Sequence, residues 1–388
     1  MKVIAKYQVR VKNQTGEIIA IFDNWQHLAI YKRVNVVGSF VFTIDATDAR
    51  AQLFDLDGQF EVWRRLIMES GHISIDTDWY LEYEGLIRDR SYGFGQYGNQ
   101  SLTISGLSYL DFVARRYIMY SPGHANSSQS DVGETVIKNF VKQNLGSDAT
   151  VLNGRLRDGV MPELIVETDN GNGDYWEGQR SYKKLINVIS EVASISGIDY
   201  DVIGAGVNSY IFRVYNEQRG SNRTTQGLVK QTGKNSYGLS PVIFSVDFGN
   251  MGNPKYEWNR SSEANVVFTL GQGVDEEREI DVETNDESIG DSPFNTIETT
   301  RDARRQSEAS SLQYLGEEKL IEKRGTERFT FSALQIPRSL YGYHYFFGDM
   351  VTAQFYDRIV DKKIVAVDII VDKDVENINI TLDDYIRI

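Results

Sequence analysis

Glu82 and Glu84 stand two positions apart in a stretch, 79–90, that reads as a strand. Side chains two apart on a strand share a face. Two carboxylates facing one bond are the working parts of glycoside hydrolysis. Asp76 and Asp78 repeat the spacing just upstream. A half-solvated strand alternates in the same way, and the structural reading of both pairs is preferred. The four histidines, His27, His72, His124 and His344, fall in no HExxH or HxxxH pattern. No GxSxG elbow points to a serine nucleophile, and with no cysteine there is no thiol chemistry, disulfide or Cys-ligated zinc.

Two glycine-containing stretches invite comparison with ligand loops. "GQGVDE" (271–276) lacks a third glycine and puts acids where a phosphate needs donors, so it reads as a turn. "DNGNGD" (169–174) has Gly171 where a calcium loop wants Asp or Asn, and no Glu at its twelfth position. It reads as a polar loop. Catalytic residues, cofactors and metals are therefore expected to be absent.

The elements around these residues are mostly strands. The apolar and aromatic share is β-like, with 22 Tyr and 18 Phe in 388 residues. Residues 28–46 hold two apolar runs separated near Gly38, and Phe40, Phe42 and Ile44 alternate on one face. Further strands are expected over 59–67, 79–90 and 100–107, a close spacing that favours a barrel or sandwich. Residues 131–146 and 181–197 carry helical periodicity instead. Asp131 and Glu134 are placed as a capping box for the first, and Gly146 and Gly197 as the two stops. The second has an apolar stripe from Tyr182 through Leu185, Ile186, Ile189, Val192 and Ala193. A long exposed loop is expected over 218–238. Strands return over 241–249 and 263–271. The run 273–291, with nine acids and one arginine, reads as solvated loop, and a charged helix is expected at about 302–323. The chain closes on a three-strand meander over 347–388.

This gives four regions: a first β region over 1–107, an α-containing insertion over 108–197, strands and loop over 198–260 that return to the first region or link onward, and a second β region over 261–388. The formal charge is −14, from 41 basic and 55 acidic residues. A protein that grips phosphates is usually basic, so specific nucleic-acid binding is not expected. No run of about 18 apolar residues marks a membrane span, and the first residues lack the apolar core of a signal peptide.

Trp25, then Arg33, Asn35 and "GSFVFTI" (38–44), resembles the opening of the tail hub proteins of long-tailed phages. "ISGLSYLDFVARRYI" (104–118) is similar to that family's strand, glycine and Arg-ended helix. "SSEANVVFTLGQG" (261–273) is similar to its Ser-x-x-x-Asn-Val segment, and "FGDMVTAQF" (347–355) to its Gly-Asp-x-Val strand start. The pieces keep the family's order along nearly the whole chain. The nearest group is the siphophage tail proteins related to baseplate hubs and type VI spike proteins.

The resemblance implies a mainly β fold with an α+β insertion and two related β-barrel domains of the phage tail hub type. It implies a homotrimer whose six barrels make a pseudo-sixfold ring around a DNA channel, joining a hexameric tail tube or distal tail protein to tip, fibre or tape-measure proteins. It places the protein in the virion, at the tail tip, assembled in the host cytoplasm and without enzymatic activity. An acidic channel wall would let DNA slide. The fold-defining residues are then Trp25, Gly38, Phe40, Phe42, Gly348 and Asp349, with Gly38 permitting the first hairpin and Gly348-Asp349 turning into the last meander. Many tail-associated hubs continue into a peptidase or lysozyme domain. This chain departs from them by ending at Ile388, so cell-wall cutting is expected to fall to another protein. A glycan-binding or glycan-degrading β protein is the alternative, resting on Glu82, Glu84 and the aromatic content, with Tyr175 and Trp176 as its exposed aromatics. Receptor binding at the tip is a third reading.

Overall fold

The computed structural model describes residues 2–70, 73–94, 98, 100–119, 127–304, 309–372 and 375–383. His72, His124, Arg305 and Ile388 lie outside the described residues. The fold is mainly β.

The first region forms β1 (Lys2–Lys12), β2 (Ile18–Phe22), β3 (His27–Arg33), β4 (Ser39–Asp45), β5 (Gln59–Ser70), β6 (Ile73–Asp76), β7 (Tyr80–Phe94) and β8 (Gln100–Ser108). Period-two alternation sends Tyr7, Val9 and Val11 of β1, and Phe40, Phe42 and Ile44 of β4, to one buried face. The Phe40 and Phe60 rings stack with centroids 3.9 Å apart, and Phe22, Phe42 and Phe54 complete the aromatic centre.

The insertion contributes α1 (Asp111–Ala114), β9 (Ser127–Val132), α2 (Gly133–Asn144), β10 (Leu164–Val166), β11 (Tyr175–Arg180), α3 (Leu185–Ser196), β12 (Asp199–Gly206) and β13 (Ser209–Tyr215). It has its own core, in which Ile137, Phe140 and Val141 of α2 meet Leu185, Ile189 and Val192 of α3. Gly197 ends α3 at φ 68°, a left-handed turn that glycine adopts without strain. The capping box expected for α2 does not form. Val132 is the N-cap, without a side-chain cap, because Asp131 belongs to β9 opposite Trp176. Glu134 instead turns inward to Lys138 and to the amides of Asn170 and Asn172, so a buried ion pair holds the 169–174 loop.

The remainder forms β14 (Asn222–Arg223), β15 (Ile243–Ser245), β16 (Met251–Asn259), β17 (Val266–Leu270), β18 (Ile280–Thr284), α4 (Asp286–Gly290), β19 (Glu298–Asp302), α5 (Ala309–Glu322), β20 (Thr326–Ala333), β21 (Met350–Phe355), β22 (Arg358–Asp372) and β23 (Val375–Asp383). The acidic run expected as loop contains β18, which pairs antiparallel with β17. Its alternation of Ile280 and Val282 with Asp281 and Glu283 was masked by the surrounding charge. The exposed loop expected over 218–238 is pinned by β14 and by Thr224 and Asn235, both buried.

One large sheet runs β16-β20-β23-β22-β3-β4-β8-β7-β5-β1-β2, with β21 on β22 and β14 and β15 on β21. β22 serves two neighbourhoods: its first half pairs with β21 of the last region, and Ala366–Val371 pair with β3 of the first. A shared core therefore runs from Phe40 and Phe60 to Phe244, Phe329 and Phe331.

Candidate functional site

A cleft of about 250 Å³ opens where the first β region, the insertion and the last region meet. Lys32 and Gly38 enter from the first hairpin, Glu82 and Glu84 from β7, Asp201 and Gly204 from β12, and Arg219 and Phe347 from the later chain. The strand pairing explains how both glutamates reach it. The β5–β7 register shifts so that Tyr83 faces Val62 but Leu81 faces Trp63, leaving Glu82 in a bulge. A bulge bends its strand and re-aims a side chain. Tyr83 goes to the core, and the acids on either side line the cleft.

The two carboxylates have opposite environments. Glu82 Oε1 accepts from Lys32 Nζ at 2.6 Å and Tyr341 Oη at 2.7 Å, while its Oε2 accepts from Tyr80 Oη at 2.7 Å. Burial acts to raise this carboxyl, but the Lys32 and Arg64 charges and the hydrogen bonds outweigh it, and it lies below its ordinary value. Glu84 accepts from the Gly204 amide at 2.7 Å. Burial raises its carboxyl to about 7, aided by the charge of Glu61 and opposed by the Gly204 amide and the charges of Arg219 and Lys12. A Cβ at Gly204 would lie 2.5 Å from Glu84 Oε2 and displace that carboxylate.

Behind Glu82 the network continues to Arg64, which is fully buried. Its guanidinium donates to Glu376 at 2.8 and 3.1 Å, to the Tyr341 carbonyl at 2.7 Å, and to Tyr7 and Tyr80 hydroxyls at 2.9 and 3.1 Å. Chemically, Glu82 has both oxygens committed and an ammonium to neutralise. Turning it toward a substrate would strand Lys32 in a half-buried position. Glu84 is poised to exchange a proton near neutral pH. Among the described residues no cluster of three or more metal-ligating side chains forms.

A second clamp closes the other side of the junction. Asp199 accepts from Lys363 Nζ at 2.7 and 2.9 Å, from the Arg219 amide at 2.8 Å and from Asn35 Nδ2 at 3.2 Å. Asn35 also takes the Tyr200 amide at 2.8 Å, and its own carbonyl accepts from the Tyr200 hydroxyl at 2.8 Å.

The residues singled out in the sequence lie as follows. Phe40 and Phe42 are buried in the first core, and Trp25 packs against Phe42, its indole N–H buried without an acceptor among the described residues. Gly38 lines the cleft but is not the left-handed residue of its hairpin. Asn35 takes that conformation at φ 58°, and Gly38 instead leaves room beside the Tyr31 carbonyl, 2.8 Å from where a Cβ would stand. Gly348 has φ 91°, and Asp349 is buried, accepting from the Ser221 and Phe346 amides at 2.6 and 2.9 Å and from Arg223 at 3.2 Å. Burial raises the Asp349 carboxyl although those donors oppose it. Trp176 is buried in the insertion core, not exposed as the glycan reading needs, whereas Tyr175 is exposed. Arg64, Asp199, Arg219 and Lys363 were not foreseen. The signal available was a charge inside an otherwise apolar strand run, as in "FEVWRRLIM" and "DKKIVAVDII".

The model of the family described as Siphovirus ReqiPepy6 Gp37-like protein matches residues 8–382. No curated protein matches the chain in sequence. Among solved structures, a tail protein from Neisseria meningitidis is 13% identical with a TM-score of 0.55, covering 98% of this chain and 97% of its own. The prophage MuSo2 43 kDa tail protein from Shewanella oneidensis is 10% identical with a TM-score of 0.54, covering 97% and 96%. Prophage tail protein gp18 from Listeria monocytogenes is 12% identical with a TM-score of 0.52, covering 98% and 94%. At these identities the likeness is one of fold, and it runs almost the full length of each chain.

Proposed function

From the premise that this chain belongs to the Siphovirus ReqiPepy6 Gp37-like family of siphovirus tail proteins, we propose that it is a non-enzymatic hub of the tail tip. Three copies form a pseudo-sixfold ring around the DNA channel, and the ring joins the tail tube or distal tail protein to tip and fibre proteins. The observation that carries this reading is the shared strand β22, which fuses the first and last β regions into one sheet. Such a fusion gives each copy two strand groups held in fixed relation, which is what a threefold ring needs to meet a sixfold partner. Glu84, through the Gly204 amide, and Asp199, through Lys363 and Asn35, fix the insertion against both groups, while Glu82 ties the first region to Tyr341 of the last. Surface chemistry supports assembly as well: Ile280 and Val282 point outward from β18 at 55% and 48% exposure, and Phe294 is 91% exposed. A contiguous exposed apolar patch marks a contact surface, and we read these residues as part of one.

The glycan-degrading alternative is weakened by the saturation of Glu82, which leaves Glu84 without a free second carboxylate across the cleft. Native mass measurement with negative-stain electron microscopy tests the hub reading. Threefold rings near three times 44.1 kDa are expected. A protein that stays monomeric even with its phage's distal tail or tube protein added would overturn it. Release of reducing sugars from host wall would overturn the non-enzymatic part.

A further inference from the structure

Arg116, Arg155 and Arg157 converge on an open pocket of about 350 Å³ beyond the C-terminal end of α2. Elsewhere in this chain of net charge −14, buried cations are answered by acids. Arg64 has Glu376, Arg180 has Glu191 and Glu318, and Lys138 has Glu134. The three arginines of this pocket, half-buried at Arg116 and Arg155 and exposed at Arg157, have no acid partner among the described residues. Neither the Arg116 nor the Arg157 side chain makes a hydrogen bond or ion pair among the described residues. Arg155 donates one nitrogen to Asn144 Oδ1 at 2.8 Å, while its Nε is buried without an acceptor.

The local chain is built to bring them together. Gly159 lies against the Arg155 guanidinium, whose Nε is 3.0 Å from where a glycine Cβ would stand. The carboxylate at the pocket, Asp158, is held by the Val151 amide at 2.7 Å, and nearby Asp111 is taken by Arg115. Burial and then the charges of Arg115 and Arg157 pull Arg116 below its ordinary value, and burial and then Arg116 do the same to Arg155. Converging like charges with an unmet donor make an unfavourable arrangement on their own. A bound anion would offset the converging charges.

We propose that this pocket binds an oxyanion of the phosphate class. Guanidinium forks match phosphate oxygens in bidentate geometry, and three forks suit a group with several acceptor oxygens. The long-range field of an acidic protein repels anions, so any binding would reflect the pocket itself. The rim suggests how the phosphate is presented: Leu152 and Leu156 stand 94% and 88% exposed on the same loop. A lipid headgroup would use those leucines, and a free phosphate would not.

Calorimetry of the full chain with inorganic phosphate, at constant ionic strength in chloride, tests the site. Saturable binding is expected, about tenfold weaker in Arg155→Gln and in Arg116→Gln. Arg157→Gln, at an exposed position, keeps the test valid should either of those fail to fold. Phosphatidylglycerol vesicles against phosphatidylcholine vesicles distinguish the source. Vesicle binding lost in Leu152→Ser/Leu156→Ser, with phosphate binding kept, assigns a headgroup, and phosphate binding without vesicle binding assigns a free phosphate. No saturable binding of phosphate or of anionic vesicles, or binding untouched by all three arginine changes, overturns the proposal. None of these outcomes depends on whether the protein forms a trimeric ring.

Discussion

Asp199 and Lys363, 164 residues apart, meet as a buried pair, with both carboxylate oxygens within 2.9 Å of the ammonium. The pair joins the start of β12 in the insertion to β22, the strand shared by the two β groups. Removing one partner of a buried pair leaves an uncompensated charge, at a cost of about 3–5 kcal/mol. Lys363→Met should therefore lower urea stability by that order. Asp199→Asn combined with Lys363→Met should recover part of the loss. Strict additivity of the two single changes would show that the pair is not coupled.

The Glu84 carboxyl, raised by burial to about 7, predicts a pH signature. The folded state holds its proton where the unfolded chain has released it. Its contribution to stability is therefore present below the unfolded value near 4.5 and is lost as pH rises through about 7. Glu84→Gln keeps an acceptor for the Gly204 amide and removes the titration. The variant should match the wild type near pH 4.5 and exceed it by about 3 kcal/mol at pH 8. Parallel stability curves for the two proteins across that window would contradict the assignment.

Asn35 separates backbone from side-chain effects. At φ 58° it occupies a conformation that an alanine adopts only with strain. Asn35→Gly should lose the side-chain bonds to Asp199 and the Tyr200 amide, about 1–2 kcal/mol, and keep the backbone bond to the Tyr200 hydroxyl. Asn35→Ala should lose the same side-chain bonds and roughly 1 kcal/mol more. Equal losses in denaturant titrations would mean that the turn does not depend on the left-handed residue.

The first sheet was legible because its signals are local. Phe40, Phe42 and Ile44 alternate, and Gly197 follows a clean apolar stripe. What escaped depends on partners distant in sequence. Asp131 and Glu134 have the spacing of a capping box, yet Glu134 finds Lys138 and a loop that starts more than thirty residues later. Glu82 and Glu84 read as sharing a strand face, with the structural reading preferred; both line the cleft, and their contrast comes from Lys32, Tyr341 and Gly204, which no spacing rule connects. β18 was hidden because its acids lie on the half-buried face.

Phe40 offers the plainest test of the core. Its ring is fully buried and stacked on Phe60. Phe40→Ala should cost about 3–5 kcal/mol through lost burial and the cavity left behind. Phe40→Asp adds an unpaired carboxylate and should prevent soluble expression. Normal solubility of the aspartate variant would remove Phe40 from the core.

The outward face of β18 gives the assembly prediction. Ile280 and Val282 are exposed, while Asp281 and Glu283 turn under α5, and burial raises the Glu283 carboxyl. A one-residue slip would reverse these faces, but the register with β17 and the fit of Gly316 against Glu283, where a Cβ would meet its Cγ at 2.7 Å, hold the strand as it is. An edge strand locked with its apolar side outward gains nothing from that side in the isolated chain. Val282→Ser combined with Phe294→Ser should thus change unfolding stability by less than about 1 kcal/mol, as exposed substitutions do. Should the protein form the proposed trimer, the same variant is expected to shift its native mass toward monomer at micromolar concentration. A trimer that survives the double change would place its interface elsewhere and leave this face for another tail component.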